Sequence, residues 1–213
     1  MAYEFNGTDQ RLTIGSSPVS GFPTTIAAWV RPTSLVGDKV PVSIYSSTDS
    51  DRIALRILGA APGVYTINDG ISAGIATSGT ASINTWGHLA GVFSATNSRI
   101  AYWNAAAGAT NTTNITGLTA FNRIVVGCTF GGVNNSLVGS FFLGDIAEVG
   151  IWNAALTAAE IASLAKGMTC DKVRPQNLVF YAPLVRDLND QKGGLTITNN
   201  NAATVATHPR VYA

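Results

Sequence analysis

Apolar and polar positions alternate with a period of two along most of this chain, the pattern of half-buried strands. From Thr24 to Val30, Ile26, Ala28 and Val30 oppose Thr25, Ala27 and Trp29. Pro32 closes that run, because proline has no N–H to give a ladder. Arg52 to Leu58 repeats the pattern, with Ile53, Leu55 and Ile57 on one side and Arg52, Ala54 and Arg56 on the other. Val64 to Ile67 and Ile71 to Ala76 flank Asn68-Asp69-Gly70, a hairpin signal because Asp-Gly tolerates positive φ. His88 to Ser94 and Arg99 to Trp103 form a second pair across Ala95-Thr96-Asn97-Ser98. The same reading predicts strands at Val40 to Tyr45, Arg123 to Gly127, Phe141 to Ile151, Leu178 to Leu184 and Leu195 to Thr198.

One stretch changes period. Gly144 to Ile161 begins as a strand, with Ala147, Val149 and Ile151 alternating with Glu148, Gly150 and Trp152, and turns at Asn153. Thr157 and Glu160 then form a capping box ahead of Ile161, Leu164 and Ala165. Gly167 offers the left-handed stop that keeps this helix short. Many strands, frequent turns, one helix, no internal repeat and no linker predict an all-β, single-domain antiparallel sandwich over residues 1–198. Residues 199–213 lack a core-like period and read as an extended tail. That tail is either a frayed terminus or an arm docking on a neighbour through His208, Pro209, Arg210, Val211 and Tyr212.

Composition narrows the function classes. Charged residues are only 12%, and 13 basic against 12 acidic side chains leave a formal net charge of +1. No basic cluster stands out in the sequence, so no nucleic-acid partner is expected. No apolar run reaches the roughly 20 residues of a membrane span. The N-terminus lacks a basic start followed by an apolar region, so no secretory signal is expected; a protein working outside a cell would leave by another route, such as release in an assembled particle.

Candidate chemistry is sparse. Cys128 and Cys170 read as buried thiols, with a disulfide open on spacing alone. Asp145 and Glu148 share a strand but lie three apart, which on a regular strand sends them to opposite faces and argues against the carboxylate pair of a glycanase. Asp49 and Asp51, or Asp187, Asn189 and Asp190, carry oxygen ligands suited to calcium, yet neither group has a full ligand spacing, and Asx residues are ordinary turn material. No metal site, cofactor or catalytic residue is therefore assigned. Trp29, Trp86, Trp103 and Trp152 read as packing residues at sheet edges. Tyr102 and Trp103 are adjacent on one strand, so one is expected to be exposed and, beside Asn104, to stack on a sugar. Asn68 and Asp69, in a turn near a tyrosine, complete the candidate ligand-binding set.

A set of motifs then appears in order: Phe5-Asn6-Gly7, Ile26-Ala27-Ala28-Trp29-Val30-Arg31-Pro32, Trp86-Gly87-His88-Leu89-Ala90, and Gly144 through Ile161. Together they resemble laminin-G-like domains of the concanavalin A-like superfamily over about residues 3–166. The resemblance implies a jelly roll of two curved antiparallel sheets, a fold shared by lectins, adhesion modules, enzyme accessory domains and structural parts. The closing segment, Asn177 to Leu184, Asp190, Gly193-Gly194 and His208 to Tyr212, looks like the ending of laminin-G-like proteins encoded by tailed bacteriophages. It implies a non-enzymatic virion component, a capsid decoration protein or a fibre or spike subunit, with other virion proteins and copies of itself as partners. The alternative is a carbohydrate-binding adhesion module that reads host-surface glycans. The calcium ligand set of laminin-G domains cannot be placed on this chain.

Overall fold

In chain order the computed structural model places β1 (Ala2–Asn6), β2 (Arg11–Ile14), β3 (Thr24–Pro32), β4 (Asp38–Tyr45), β5 (Arg52–Leu58), β6 (Ala61–Asn68), β7 (Ser72–Thr77), β8 (Gly87–Ala95), β9 (Ser98–Trp103), β10 (Ala106–Ala107), β11 (Arg123–Val126), β12 (Thr129–Gly131), β13 (Leu137–Gly139), β14 (Leu143–Trp152), α1 (Ala158–Ala165), β15 (Leu178–Ala182), β16 (Ile197–Asn200) and β17 (Thr204–Ala206). It describes residues 1–48, 50–68, 72–131 and 137–212. The strands form two antiparallel sheets. An eight-stranded sheet runs β10-β9-β8-β3-β14-β1-β17, with β15 also paired to β14. A seven-stranded sheet runs β16-β2-β11-β4-β5-β6-β7, and β12 and β13 make a separate hairpin. This is the all-β antiparallel sandwich with one helix that the alternation predicts.

The alternation works because each strand gives one set of side chains to the space between the sheets. Ile26, Ala28 and Val30 from β3 meet Val42 and Ile44 from β4 and Ile53, Leu55 and Ile57 from β5 there. A second buried layer lies on the outer side of the eight-stranded sheet. Ala27, Ala90, Val92, Tyr102 and Trp152 are covered by Leu156, Ile161, Leu164, Val173 and Leu178. The helix holds that cover in place. Its capping box is complete, with Thr157 N donating to Glu160 Oε2 at 2.7 Å and Glu160 N donating to Thr157 Oγ1 at 3.3 Å. Arg174 clamps the same carboxylate through Nε (2.7 Å) and Nη2 (2.6 Å), and Gly167 follows the last turn at φ +97°.

Three readings of the sequence change here. The pairing of β14 with β3 slips between Ala147 and Gly150, and Glu148 sits at φ +53° in the resulting bulge. The extra residue resets the alternation: Ile146 and Val149, three apart, both enter the core, so Asp145 and Glu148 share the outer face instead of opposing each other. Tyr102 and Trp103 are both buried, at 6% and 7% exposure, because Trp103 enters the sandwich core and the α1 segment covers Tyr102. The tail, as far as Tyr212, also joins the domain. The boundary at residue 198 falls inside β16, which edges the seven-stranded sheet beside β2, while β17 edges the other sheet beside β1. Beyond them, Tyr212 N donates to Gly167 O at 2.5 Å and Thr169 N to Tyr212 O at 3.2 Å, so Tyr212 packs behind α1.

Candidate functional site

The outer face of the seven-stranded sheet gathers arginines that lie far apart in sequence. Register places Arg123, Tyr45, Arg52 and Ile67 side by side on β11, β4, β5 and β6. The next rung on this face is Val125, Ser43, Ala54, Tyr65 and Ile75. Arg56 lies beyond it on β5, and Arg11 on the outer side of β2. Thr129 to Gly131 cross the middle of the face. Phe130 stacks on Tyr45, with centroids 5.0 Å apart and planes at 21°. Thr129 Oγ1 accepts from Tyr65 OH at 3.2 Å and donates to Ser43 Oγ at 3.4 Å. The four guanidinium groups thus frame the root of the β12–β13 hairpin.

Phe130 and Tyr65 each carry a cation on the ring face. Arg11 Cζ lies 5.8 Å from the Phe130 centroid, and Arg52 and Arg56 lie 5.7 and 5.6 Å from that of Tyr65. Such contacts contribute about 0.5–1 kcal/mol where exposed and more when desolvated. Burial raises the Tyr65 phenol above its ordinary value, with Arg52 pulling part of the way back, so this ring stays neutral and presents its π face. Arg56 is neutralised by Asp38, with Nε to Oδ1 at 3.1 Å. Among the described residues, Arg11, Arg52 and Arg123 form no ion pair. Each donates an Nη1 hydrogen bond to a nearby backbone oxygen: Asp9 at 3.0 Å, Ser50 at 2.7 Å and Asn122 at 3.0 Å. All three are half-buried; the Nε groups of Arg11 and Arg52 are shut off from solvent, so it is the Nη groups that can meet an incoming acceptor.

The opposite face offers a weaker platform. Trp29 and Trp86 are half-buried on the outer side of the eight-stranded sheet, with Arg31 Cζ 6.0 Å from the Trp86 ring. There Arg31 is paired with Asp145 through Nε at 2.5 Å, which cancels its charge. Burial raises the Asp145 carboxyl, and the Arg31 hydrogen bond draws it back in part. Glu148 is also occupied: Oε2 accepts from Tyr181 OH at 2.6 Å, and Oε1 lies 3.1 Å from His208 Nε2. The two carboxylates share a face but hold separate partners, and neither is aimed with the other at an open cleft.

The residues singled out from sequence distribute as follows. Asn68 ends β6 beside Ile67, at the arginine end of the seven-stranded sheet, and gives its side-chain amide to Thr116 O. Asp69, like Asp49 of the calcium candidates, lies outside the described residues. Asn104 is exposed on the other sheet, where its Oδ1 accepts from His88 N at 2.8 Å. His208 meets Glu148, Pro209 is buried, Arg210 is exposed, Val211 is half-buried, and Tyr212 lines a groove of about 480 Å³ with Ser163, Lys166, Met168 and Lys172. Asp190 is saturated by four backbone N–H groups, from Tyr181 (2.9 Å), Lys192 (3.0 Å), Gly193 (3.1 Å) and Leu195 (3.1 Å), which makes it a turn organiser. No group of three candidate metal ligands occurs among the described residues. Cys128 and Cys170 are free and buried on opposite outer faces of the sandwich, too far apart to bridge. The arginine frame escaped the sequence reading because its members come from three strands far apart in the chain, β2, β5 and β11. The only signal was arginine at outward positions of β5, Arg52 and Arg56.

The model of the concanavalin A-like lectin/glucanases superfamily, laminin-G type, matches residues 6–162. The chain belongs to that family. Among solved structures, a heptameric SAP-like pentraxin from Limulus polyphemus superposes with a TM-score of 0.72 at 13% identity, covering 97% of this chain and 94% of the pentraxin. A putative carbohydrate-binding protein from Bacteroides ovatus gives 0.64 at 17% identity, covering 96% of this chain and 61% of its own. The Ruminococcus gnavus IT-sialidase CBM40 bound to α2,3 sialyllactose gives 0.56 at 16% identity, covering 68% of this chain and 84% of that domain. At these identities the likeness is one of fold. No curated protein sequence matches this chain.

Proposed function

We propose that this chain is a non-catalytic, lectin-like module that binds a glycan at the arginine-framed end of the seven-stranded sheet. The observation that carries the reading is the trio Arg11, Arg52 and Arg123, half-buried, free of ion pairs among the described residues, and set around the Tyr45–Phe130 stack. Planar guanidinium donors held in place by the rings suit the polar edge of a sugar. The fold supports the reading, since it is shared with a putative carbohydrate-binding protein of Bacteroides ovatus and with a Ruminococcus gnavus CBM40 bound to α2,3 sialyllactose. A glycan microarray probed with the full chain and with an Arg52→Ala/Arg123→Ala double variant tests it. Binding to a discrete set of glycans, lost in a variant that keeps its melting temperature, is the expected result. No binding at high protein concentration rejects the reading.

The closing segment favours a setting for this module. Its resemblance to phage-encoded laminin-G-like proteins supports a place on a virion surface, as a decoration or fibre component. There symmetric copies would multiply weak contacts by effective concentration. Immunogold labelling of purified particles tests this setting, and unlabelled particles reject it.

A further inference from the structure

We infer that the ligand of the arginine-framed face carries an acidic group, a carboxylate or a sulfate ester, on its sugar; this rests on the glycan-binding reading above. The argument is one of charge and donor count. Arg52 and Arg123 flank Tyr45 on one rung, two strand spacings apart, which sets their Cα atoms about 10 Å from each other. Among the described residues neither is in an ion pair, and each gives an Nη1 hydrogen bond to a backbone oxygen, Ser50 O and Asn122 O. Arg11 is in the same state on the far side of Phe130. Among the described residues Arg56 is ion-paired, with Asp38, while Arg11, Arg52 and Arg123 meet no carboxylate.

A neutral sugar would leave that positive charge unanswered. Guanidinium forks match carboxylate and sulfate oxygens in a paired geometry that hydroxyl groups do not reproduce. The arginines are also held ready. Arg52 lies against Gly131, where an added Cβ would fall 3.1 Å from its Nη1, and rests on the Tyr65 ring. Arg11 rests on Phe130. Side chains fixed on rings lose less rotamer freedom when they engage an anion. A nucleic acid is the less favoured polyanion: the face presents no lysine among these charges, and the whole chain is close to neutral at +1.

The test uses the full-length protein on a microarray of matched neutral, sialylated, uronate-bearing and sulfated glycans, with duplex DNA as a further arm. Arg52→Gln and Arg123→Gln are each compared with wild type after melting temperatures confirm folding. The expected result is binding confined to acid-bearing glycans and weakened roughly tenfold or more by either substitution. The sialylated and uronate arms against the sulfated arm say which acid is read. Arg52→Lys keeps the charge but loses the fork, so it should recover only part of the affinity. Binding of neutral glycans, indifferent to both substitutions, overturns the acidic ligand while leaving the module a lectin. Binding of no glycan overturns both readings. Duplex DNA bound more tightly than any glycan overturns the acidic-glycan assignment.

Discussion

His88 should make the domain acid-labile through one buried imidazole. The side chain is 2% exposed, and its ring lies edge-on to Trp29 at 5.6 Å and 66°. Its backbone is pinned on both sides by Asn104, which accepts from His88 N at 2.8 Å and donates to His88 O at 2.9 Å. Burial alone pushes its pKa down from 6.5 to about 3, with no carboxylate acting to restore it. Because the folded value lies below the unfolded one, the unfolded chain takes up a proton first as the pH falls. The stabilisation is therefore present in full above about pH 6.5 and drains away towards pH 3. Linkage between these two values gives a loss of about 2 kcal/mol between pH 7 and pH 5, or about 4–8 °C in melting temperature for a chain of this size. The assay is urea unfolding at pH 7, 6 and 5 for wild type and His88→Gln, whose amide does not titrate. The variant should start less stable but lose about 2 kcal/mol less on acidification. Parallel pH profiles for the two proteins would refute a neutral buried His88.

Other parts of the sandwich give sharper all-or-none tests. Arg99 is 0% exposed between the sheets and donates to Asn111 Oδ1 (2.6 Å), Thr96 O (2.5 Å) and Thr113 O (2.9 Å). Arg99→Met orphans those acceptors and should cost about 3–5 kcal/mol in denaturant unfolding; a loss below about 1 kcal/mol would mean the loop re-pairs without it. Gly144 sits at φ +132°, with its missing Cβ directed at the Arg31 carbonyl, so Gly144→Ala should destabilise the β14–β3 pair by about 1–3 kcal/mol, read by the same assay. Burial pushes the Cys128 thiol up to about 12, and burial with the Glu148 charge raises Cys170 well above its usual value. Neither should react with a thiol reagent at pH 8 until the protein unfolds, and prompt labelling of the native state would contradict the packing of both outer clusters.

The parts of the fold legible in the sequence were those where one local rule acts alone. Arg52–Leu58 is a strand over the bounds its alternation gives, and Thr157 with Glu160 starts the helix that Gly167 stops. The failures have a shared cause: they depend on what packs from elsewhere. Tyr102 is buried because the α1 segment, some fifty residues later in the chain, lies over its sheet. Glu148 turns to the outer face because a bulge adds one residue to β14. The N-terminal strands are too short to show a clear alternation: Ala2–Asn6 pairs with β14 and β17 on either side and sends Tyr3 and Phe5 into the core. The arginine frame is legible only once β2, β11, β4 and β5 are laid in sheet order. A near-neutral chain can therefore hide a local concentration of cationic side chains.

Nuclear magnetic resonance mapping of a bound acidic glycan addresses the central claim most directly. Titration of the labelled chain with the tightest glycan from the microarray should shift the signals of Arg52, Arg123, Tyr45 and Phe130, with the side-chain guanidinium protons moving most. Shifts gathered instead around Trp29 and Trp86, on the outer side of the eight-stranded sheet, would contradict it.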